Sequence, residues 1–279
     1  MKTNVKILGV IAALAIGLMI SSCKKEDNQN NVPDNPQSTV KSASDNATAE
    51  SVWGGIFKQA DNAAHNTGNL KELTGGCPTI TINPISSYPM TITIDFGTAC
   101  TCQDGKIRSG IIIAVLSAPY PDSGSVLTIT LQDYHEMVYN TDYAVTGTET
   151  VTNMGLNNAG NLVYDVVVTN AIITSVNGTI NWNSHRQNEW IEGSDTAFDI
   201  WDDVYLVTGS ADGTNQNGET FEINITSALR VEISCAWIVS GTLEILTDAN
   251  PPIVVDYGNG DCDNIATATC YGYTATIYM

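Results

Sequence analysis

Leu127-Thr128-Ile129-Thr130-Leu131 alternates without a break, aliphatic residues on one parity and threonine on the other. Successive side chains of a strand point to opposite faces, so this pattern gives one buried and one wet face, the mark of an antiparallel sheet. The same period recurs outward from it. Thr79-Ile80-Thr81-Ile82 and Met90-Thr91-Ile92-Thr93-Ile94 precede it, and Phe221-Glu222-Ile223-Asn224-Ile225 and Val231-Glu232-Ile233-Ser234-Cys235 follow. Asp104-Gly105, Asn177-Gly178, Asp212-Gly213, Asn217-Gly218 and Asn259-Gly260 separate the runs with dipeptides suited to tight turns. About a dozen strands fit between residues 77 and 279, and the class is all-β.

One helix is expected before the sheet, over residues 44–66. Ser44 or Asp45 can cap it, and Val52, Trp53, Ile56, Phe57, Ala60 and Ala63 recur at three- and four-residue spacing. Gly54 and Gly55 weaken it by about 1 kcal/mol each relative to alanine, so it needs a surface to lie on. The expectation is an amphipathic helix packed on a face or open end of the sheet.

Three short echoes suggest two related β halves, approximately 77–180 and 200–279. Ile94-Asp95-Phe96-Gly97 before Cys100 matches Val255-Asp256-Tyr257-Gly258 before Cys262. Tyr143 to Gly147 matches Tyr205 to Gly209, and Val168-Thr169-Asn170-Ala171 matches Ile225-Thr226-Ser227-Ala228. Two such halves face to face make an antiparallel two-sheet sandwich. The rival reading is coincidence among threonine- and glycine-rich strands.

The N-terminus has another logic. Lys2 and Lys6 precede a nearly unbroken apolar run, Ile7 to Ile20, that ends in Ser21, Ser22 and Cys23. This is the layout of a secretory leader, and the run is short of the about 20 residues a membrane helix needs. Ile20-Ser21-Ser22-Cys23 resembles the lipobox of bacterial lipoproteins, which implies cleavage after residue 22, acylation of Cys23 and a membrane partner through that anchor. Residues 23–43, rich in Asn, Gln, Ser, Pro and charge, read as a flexible tether. Lys24-Lys25-Glu26-Asp27 resembles the charged export signal of Bacteroidetes surface lipoproteins. The Asp-aromatic-Gly echoes and Asp256-Tyr257-Gly258-Asn259-Gly260-Asp261-Cys262-Asp263-Asn264 are similar to a group of uncharacterised all-β lipoproteins of that type. The resemblance implies the outer membrane, its outer surface before its periplasmic face, and no activity.

The leader carries two lysines and no acid, so 11 basic residues become 9 against 30 acids, a formal charge of −21. From Ser109 onward Arg186 and Arg230 face 21 acids. Such a surface repels nucleic acid, which is excluded as a partner. Six cysteines remain besides Cys23: Cys77, Cys100, Cys102, Cys235, Cys262 and Cys270. In an oxidising compartment they read as disulfide candidates, the pairing open, with Cys100 and Cys102 poorly placed to bond each other.

The most site-like stretch is Thr179 to Asp203. Trp182, Trp190 and Trp201 lie among Asn183, His185, Arg186 and Glu189, aromatic faces beside amides and a guanidinium, a mixture suited to glycans. The alternative is a strand pair with core tryptophans and a polar turn. Asp256, Asp261 and Asp263 form a candidate calcium site, against a disulfide-pinned turn. Asp212 to Glu219 misses the EF-hand spacing and reads as a hairpin loop. His65, His135 and His185 sit in no nucleophile or metal motif, and Asp133 with Glu136, or Glu189 with Glu192, are the carboxyl pairs a glycosidase scheme would use. These readings favour a non-enzymatic binding or adhesion module, for a glycan or protein, over a periplasm-facing assembly factor with an apolar groove or a hydrolase.

Overall fold

The computed structural model describes residues 36–65, 77–102, 104–138, 140–196, 200–235, 237–248, 250–270 and 272–278. Cys23 and the leader lie outside these residues, as does the first part of the expected tether.

A 30-residue helix, α1 (Pro36–His65), is followed by fourteen strands. They are β1 (Thr79–Asn83), β2 (Met90–Asp95), β3 (Cys100–Thr101), β4 (Ile107–Leu116), β5 (Val126–Val138), β6 (Thr141–Leu156) and β7 (Leu162–Ser175). Then come β8 (Gly178–Glu192), β9 (Val204–Thr214), β10 (Thr220–Glu232), β11 (Ile238–Thr247), β12 (Asn250–Asn259), β13 (Ile265–Cys270) and β14 (Tyr273–Tyr278). Neighbours pair antiparallel in chain order except that β2 pairs with β4, and the two-residue β3 pairs with β4 as well. The strands thus form a single open sheet, where a sandwich of two sheets was expected. Alternation fixes which residues face inward, and it is silent on whether the strands hydrogen-bond as one sheet or two.

Helix α1 begins eight residues before the expected start, within the presumed tether. Its first turns are held from the side. Lys41 pairs with Asp45, Asp45 Oδ2 accepts the Gln216 backbone N–H (2.8 Å), and Asn215 Nδ2 donates to Ser42 Oγ (3.1 Å). A polar sequence is helical here because tertiary partners stabilise it.

The contacts of α1 advance along the strands. On β8, Trp182 Nε1 donates to Asn46 Oδ1 (3.0 Å), Arg186 pairs with Glu50, and Trp190 meets the ring of His65. Meanwhile Trp53 packs against Gly147 of β6, and Gly55 lies over Arg108 of β4 and Glu136 of β5. The helix axis therefore runs with the strands, and the sheet curls around it. Irregular pairing in mid-strand gives the bend: Gly110, Asp133, Gly147 and Asn170 all have positive φ beside register shifts in β4 to β7. Gly147 (φ 140°) is needed for space as well, because a Cβ there would collide with Trp53.

One inward rank crosses ten strands in register: Ile92, Ala114, Ile129, Glu149, Val168, Ser184, Ala211, Ile223, Ile245 and Ile253. All ten are buried against the helix side, and one of them is an acid.

Two disulfides pin comparable hairpins. Cys77–Cys100 brackets β1–β2, and Cys235–Cys262 brackets β11–β12, with Cα separations of 5.8 and 5.9 Å. The Asp-aromatic-Gly echo lies at the same place in both. Asp95 accepts the Gly97 N–H at 2.8 Å, Asp256 accepts the Gly258 N–H at 2.9 Å, and Phe96 and Tyr257 point inward. The other two echoes join β6 with β9 and β7 with β10. Cys102 is buried with its Sγ 3.9 Å from that of Cys100, and burial raises its thiol above the ordinary range. Among the described residues no helix is long and apolar enough to cross a membrane.

Candidate functional site

The stretch Trp182 to Trp201 is divided by the parity of β8. Trp182, Arg186 and Trp190 face inward, where the first two hold Asn46 and Glu50 of α1. Asn183, His185 and Glu189 face the other way. Asn183 donates to Asp212 (3.1 Å), His185 pairs with Asp165 (2.7 Å), and Glu189 accepts from Asn157 and Asn161 (2.8 and 2.7 Å). Those two amides hold the Glu189 carboxyl below the usual carboxylate range. Trp201 is 51% exposed beyond the end of β8. These seven residues do not converge on one surface.

Asp256, Asp261 and Asp263 do line one shallow open depression with Gly258 and Thr267. Their carboxyls serve the local backbone, Asp256 to Gly258 and Asp263 to Ile265. Among the described residues no group of three His, Cys, Asp or Glu side chains is arranged to hold a metal ion.

Inside the sheet, two polar groups meet α1. Near its middle, Arg108 is fully buried. Its Nε donates to Glu136 Oε2 (2.9 Å) and Tyr134 Oη (3.2 Å), and Nη1 and Nη2 grip Asp104 at 2.9 and 2.7 Å. Lys106 Nζ donates to the other Glu136 oxygen (2.6 Å), and Tyr134 Oη donates to Oε2 (2.9 Å). Burial opposes the guanidinium charge, but the two carboxylates outweigh it and raise its basicity. Each buried nitrogen and oxygen of Arg108, Tyr134 and Glu136 has a partner, which is how a buried ion pair becomes structural. It also absorbs Glu136, one of the acids a glycosidase scheme would have used, while His135 turns outward to Asp142 (3.1 Å).

The second group, at the C-terminal end of α1, is not matched. Asp61 accepts the hydroxyl of buried Tyr120 (2.5 Å), and the His65 ring lies 3.4 Å from Asp61 Oδ2. Two stacked aromatic pairs flank them: Tyr120 with Tyr164, and Trp190 with Tyr205, each with centroids 5.7 Å apart. His65 bridges the pairs edge-on, 4.7 Å from Tyr120 and 5.6 Å from Trp190. Asn153 of β6 donates to the Tyr120 carbonyl (3.1 Å) and fixes that loop. Asp203, just before β9, and Glu149 of β6 complete the group.

Here polar capacity is left over. Glu149 is 2% exposed with no hydrogen-bond partner at Oε2 among the described residues, and Asp203 Oδ1 and Tyr164 Oη, equally buried, likewise have none. The Trp190 indole N–H is directed at Asp203 without reaching hydrogen-bond geometry. Burial, and then the charge of Asp61, raises the Asp203 carboxyl to about 7 and the Glu149 carboxyl well above its ordinary range. Burial opposes the charged form of His65, yet Asp61 outweighs it and raises its pKa. Carboxyls of unequal acidity, a basic imidazole and four aromatic rings are thus brought together at one end of the helix.

No known protein family, no curated protein and no solved structure matches this chain.

Sequence reasoning passed over most of this group. Glu149 shares the parity of Val151, so a carboxylate on the apolar face was a readable signal. Asp61 likewise lies four residues after Phe57 on the apolar stripe. Tyr120, Asp203 and Tyr205 come from loops and a distant strand, and only the curl of the sheet brings them to the helix end.

Proposed function

We propose that this chain is an exported, lipid-anchored binding module of the cell envelope, which takes a small polar ligand at the C-terminal end of α1. The observation that carries the binding reading is the set of buried, unpaired oxygens of Glu149, Asp203 and Tyr164 gathered beside Asp61 and His65. A group that costs free energy to bury unpaired is retained where it serves another purpose. The anchor reading is supported by the leader and Cys23, and the two bridged cysteine pairs suit an oxidising compartment. The outer membrane is the expected anchor site, its outer face before its inner one. The assembly-factor reading needs an open apolar groove, and α1 fills the inner face of the sheet.

Membrane fractionation with Cys23→Ser tests the anchor: the variant moves to the soluble fraction, and retention in the membrane refutes it. A thermal-shift screen tests the site. A ligand that binds only the folded state at about a hundredfold excess over its dissociation constant stabilises by about 2.7 kcal/mol, and Asp203→Asn should abolish that shift. A shift unaffected by Asp203→Asn and Glu149→Gln places binding elsewhere.

A hydrolase is the second reading, favoured by one observation: burial and the charge of Asp61 raise the Asp203 carboxyl to about 7, a range suited to a general acid. Turnover on a glycan panel that disappears in Asp203→Asn would establish it.

A further inference from the structure

The charge balance of the interior differs between its two ends. Around the middle and start of α1, each buried or half-buried carboxylate meets a cation: Glu136 has Arg108 and Lys106, Asp104 has Arg108, Glu50 has Arg186, and Asp45 has Lys41. At the C-terminal end, Asp61, Asp203 and Glu149 share one basic side chain among the described residues, His65. That imidazole is the last residue of α1, and its side chain is the half-buried member of an otherwise buried group. It lies between the rings of Tyr120 and Trp190 and against Asp61. This is the setting in which a cation is bound by aromatic rings and a carboxylate together.

We propose that His65 holds the place of a ligand, and that the ligand is a small organic ammonium ion. The inference rests on the binding reading above and names its chemistry. The imidazole swings out at the helix terminus. The ammonium group then sits against Asp61 among Tyr120, Tyr164, Trp190 and Tyr205, and Asp203, once ionised, supplies the remaining negative charge. An ammonium fits better than a neutral sugar, because a sugar leaves Asp203, once ionised, without a counter-charge. It fits better than a metal ion because the described residues offer no coordinating trio.

The groups facing the site are Asp61 and His65 from α1, Tyr120 from the β4–β5 connection, Glu149 from β6, Tyr164 from β7, and Asp203 and Tyr205 at the start of β9, with Asp202 beside them. Raising the pH through about 7 ionises Asp203, which favours a bound cation, so affinity should rise from pH 6 to pH 8.

Calorimetric titration of the full chain with choline, ethanolamine and the uncharged choline isostere 3,3-dimethylbutan-1-ol tests the proposal. At least one cation binds, the isostere does not, and binding tightens with pH. Asp203→Asn weakens it about tenfold or more, while His65→Ala tightens it by removing the internal competitor. A role for His65 confined to packing predicts the opposite sign for that variant. Circular dichroism of each variant establishes that it is folded, and Asp203→Asn is isosteric. Equal binding of choline and its isostere, or weaker binding in folded His65→Ala, overturns the proposal. If the cations fail while a neutral glycan binds in an Asp203-dependent way, the ligand class is wrong and the site stands. If no ligand responds to any of these variants, the binding reading fails with it.

Discussion

Adjacent glycines in α1 should respond to the same substitution with opposite signs. Alanine at either position gains about 1 kcal/mol of helix propensity. A Cβ on Gly54 meets nothing within 4 Å. Gly54→Ala should therefore stabilise by up to about 1 kcal/mol, or raise Tm by about 2–4 °C for a domain of this size. A Cβ on Gly55 would stand 3.0 Å from Arg108 Nη2 and 3.3 Å from Glu136 Oε2. A guanidinium at the end of a loose side chain would yield by a few tenths of an ångström at little cost. Arg108 is not loose. Its Nε is fixed on Glu136 at 2.9 Å, and its two terminal nitrogens on Asp104 at 2.9 and 2.7 Å. Displacing it strains charge-assisted bonds worth about 1.5–3 kcal/mol each, and overpacking costs about 1–3 kcal/mol. The propensity gain offsets part of this, so Gly55→Ala should lose about 1–2 kcal/mol net. Urea denaturation at pH 7 reads both variants, with midpoints moving apart at constant slope. If Gly55→Ala is as stabilising as Gly54→Ala, the Arg108–Glu136 pair yields freely and is no rigid seat for the helix.

Glu136→Gln should be far more damaging, by about 3–5 kcal/mol, because it leaves Arg108 buried with half its pairing; a loss under 1 kcal/mol in the same assay would refute this. Glu149 and Asp203 have the opposite linkage. Their folded pKa values lie above the unfolded ones of about 4, so the unfolded state ionises first and stability falls as pH rises from about 4 through 7. Glu149→Gln should flatten that decline between pH 5 and 8, and parallel curves for variant and parent would show that Glu149 ionises without cost. Intact mass should rise by four protons when the two bridges are reduced, and alkylation of Cys102 should require unfolding; rapid labelling of native protein at Cys102 would contradict its burial.

What could be read from residue order was local. The alternation at β2, β5 and β10 gave the strands and their buried parity, and parity also put Trp182 and Trp190 on one face. The same rule, applied to Asn183, His185 and Glu189, separates them from those tryptophans, and the composition of the stretch concealed it. The number of sheets was not legible, since hydrogen-bond partners are set by the curl at Gly110, Asp133, Gly147 and Asn170. Neither was the early start of α1, whose first turns depend on Asn215 and Gln216. The unmatched end of the helix was half legible. Glu149 and Asp61 announce themselves on apolar parity, whereas Tyr120 and Asp203 need the fold to arrive.

The wrapping of a late sheet around an early helix also governs time. Ser42 finds Asn215 at a sequence separation of 173, and Asn46 finds Trp182 at one of 136. During synthesis α1 emerges before every strand, with its apolar stripe and its buried acids unsheltered until β8 and β9 exist. Contacts of such long sequence separation must close large loops before they reward the chain, so folding is expected to be slow and to come late. On the export route proposed above, the chain would have to stay unfolded while it crosses a membrane, and a core that waits for its last strands suits that route.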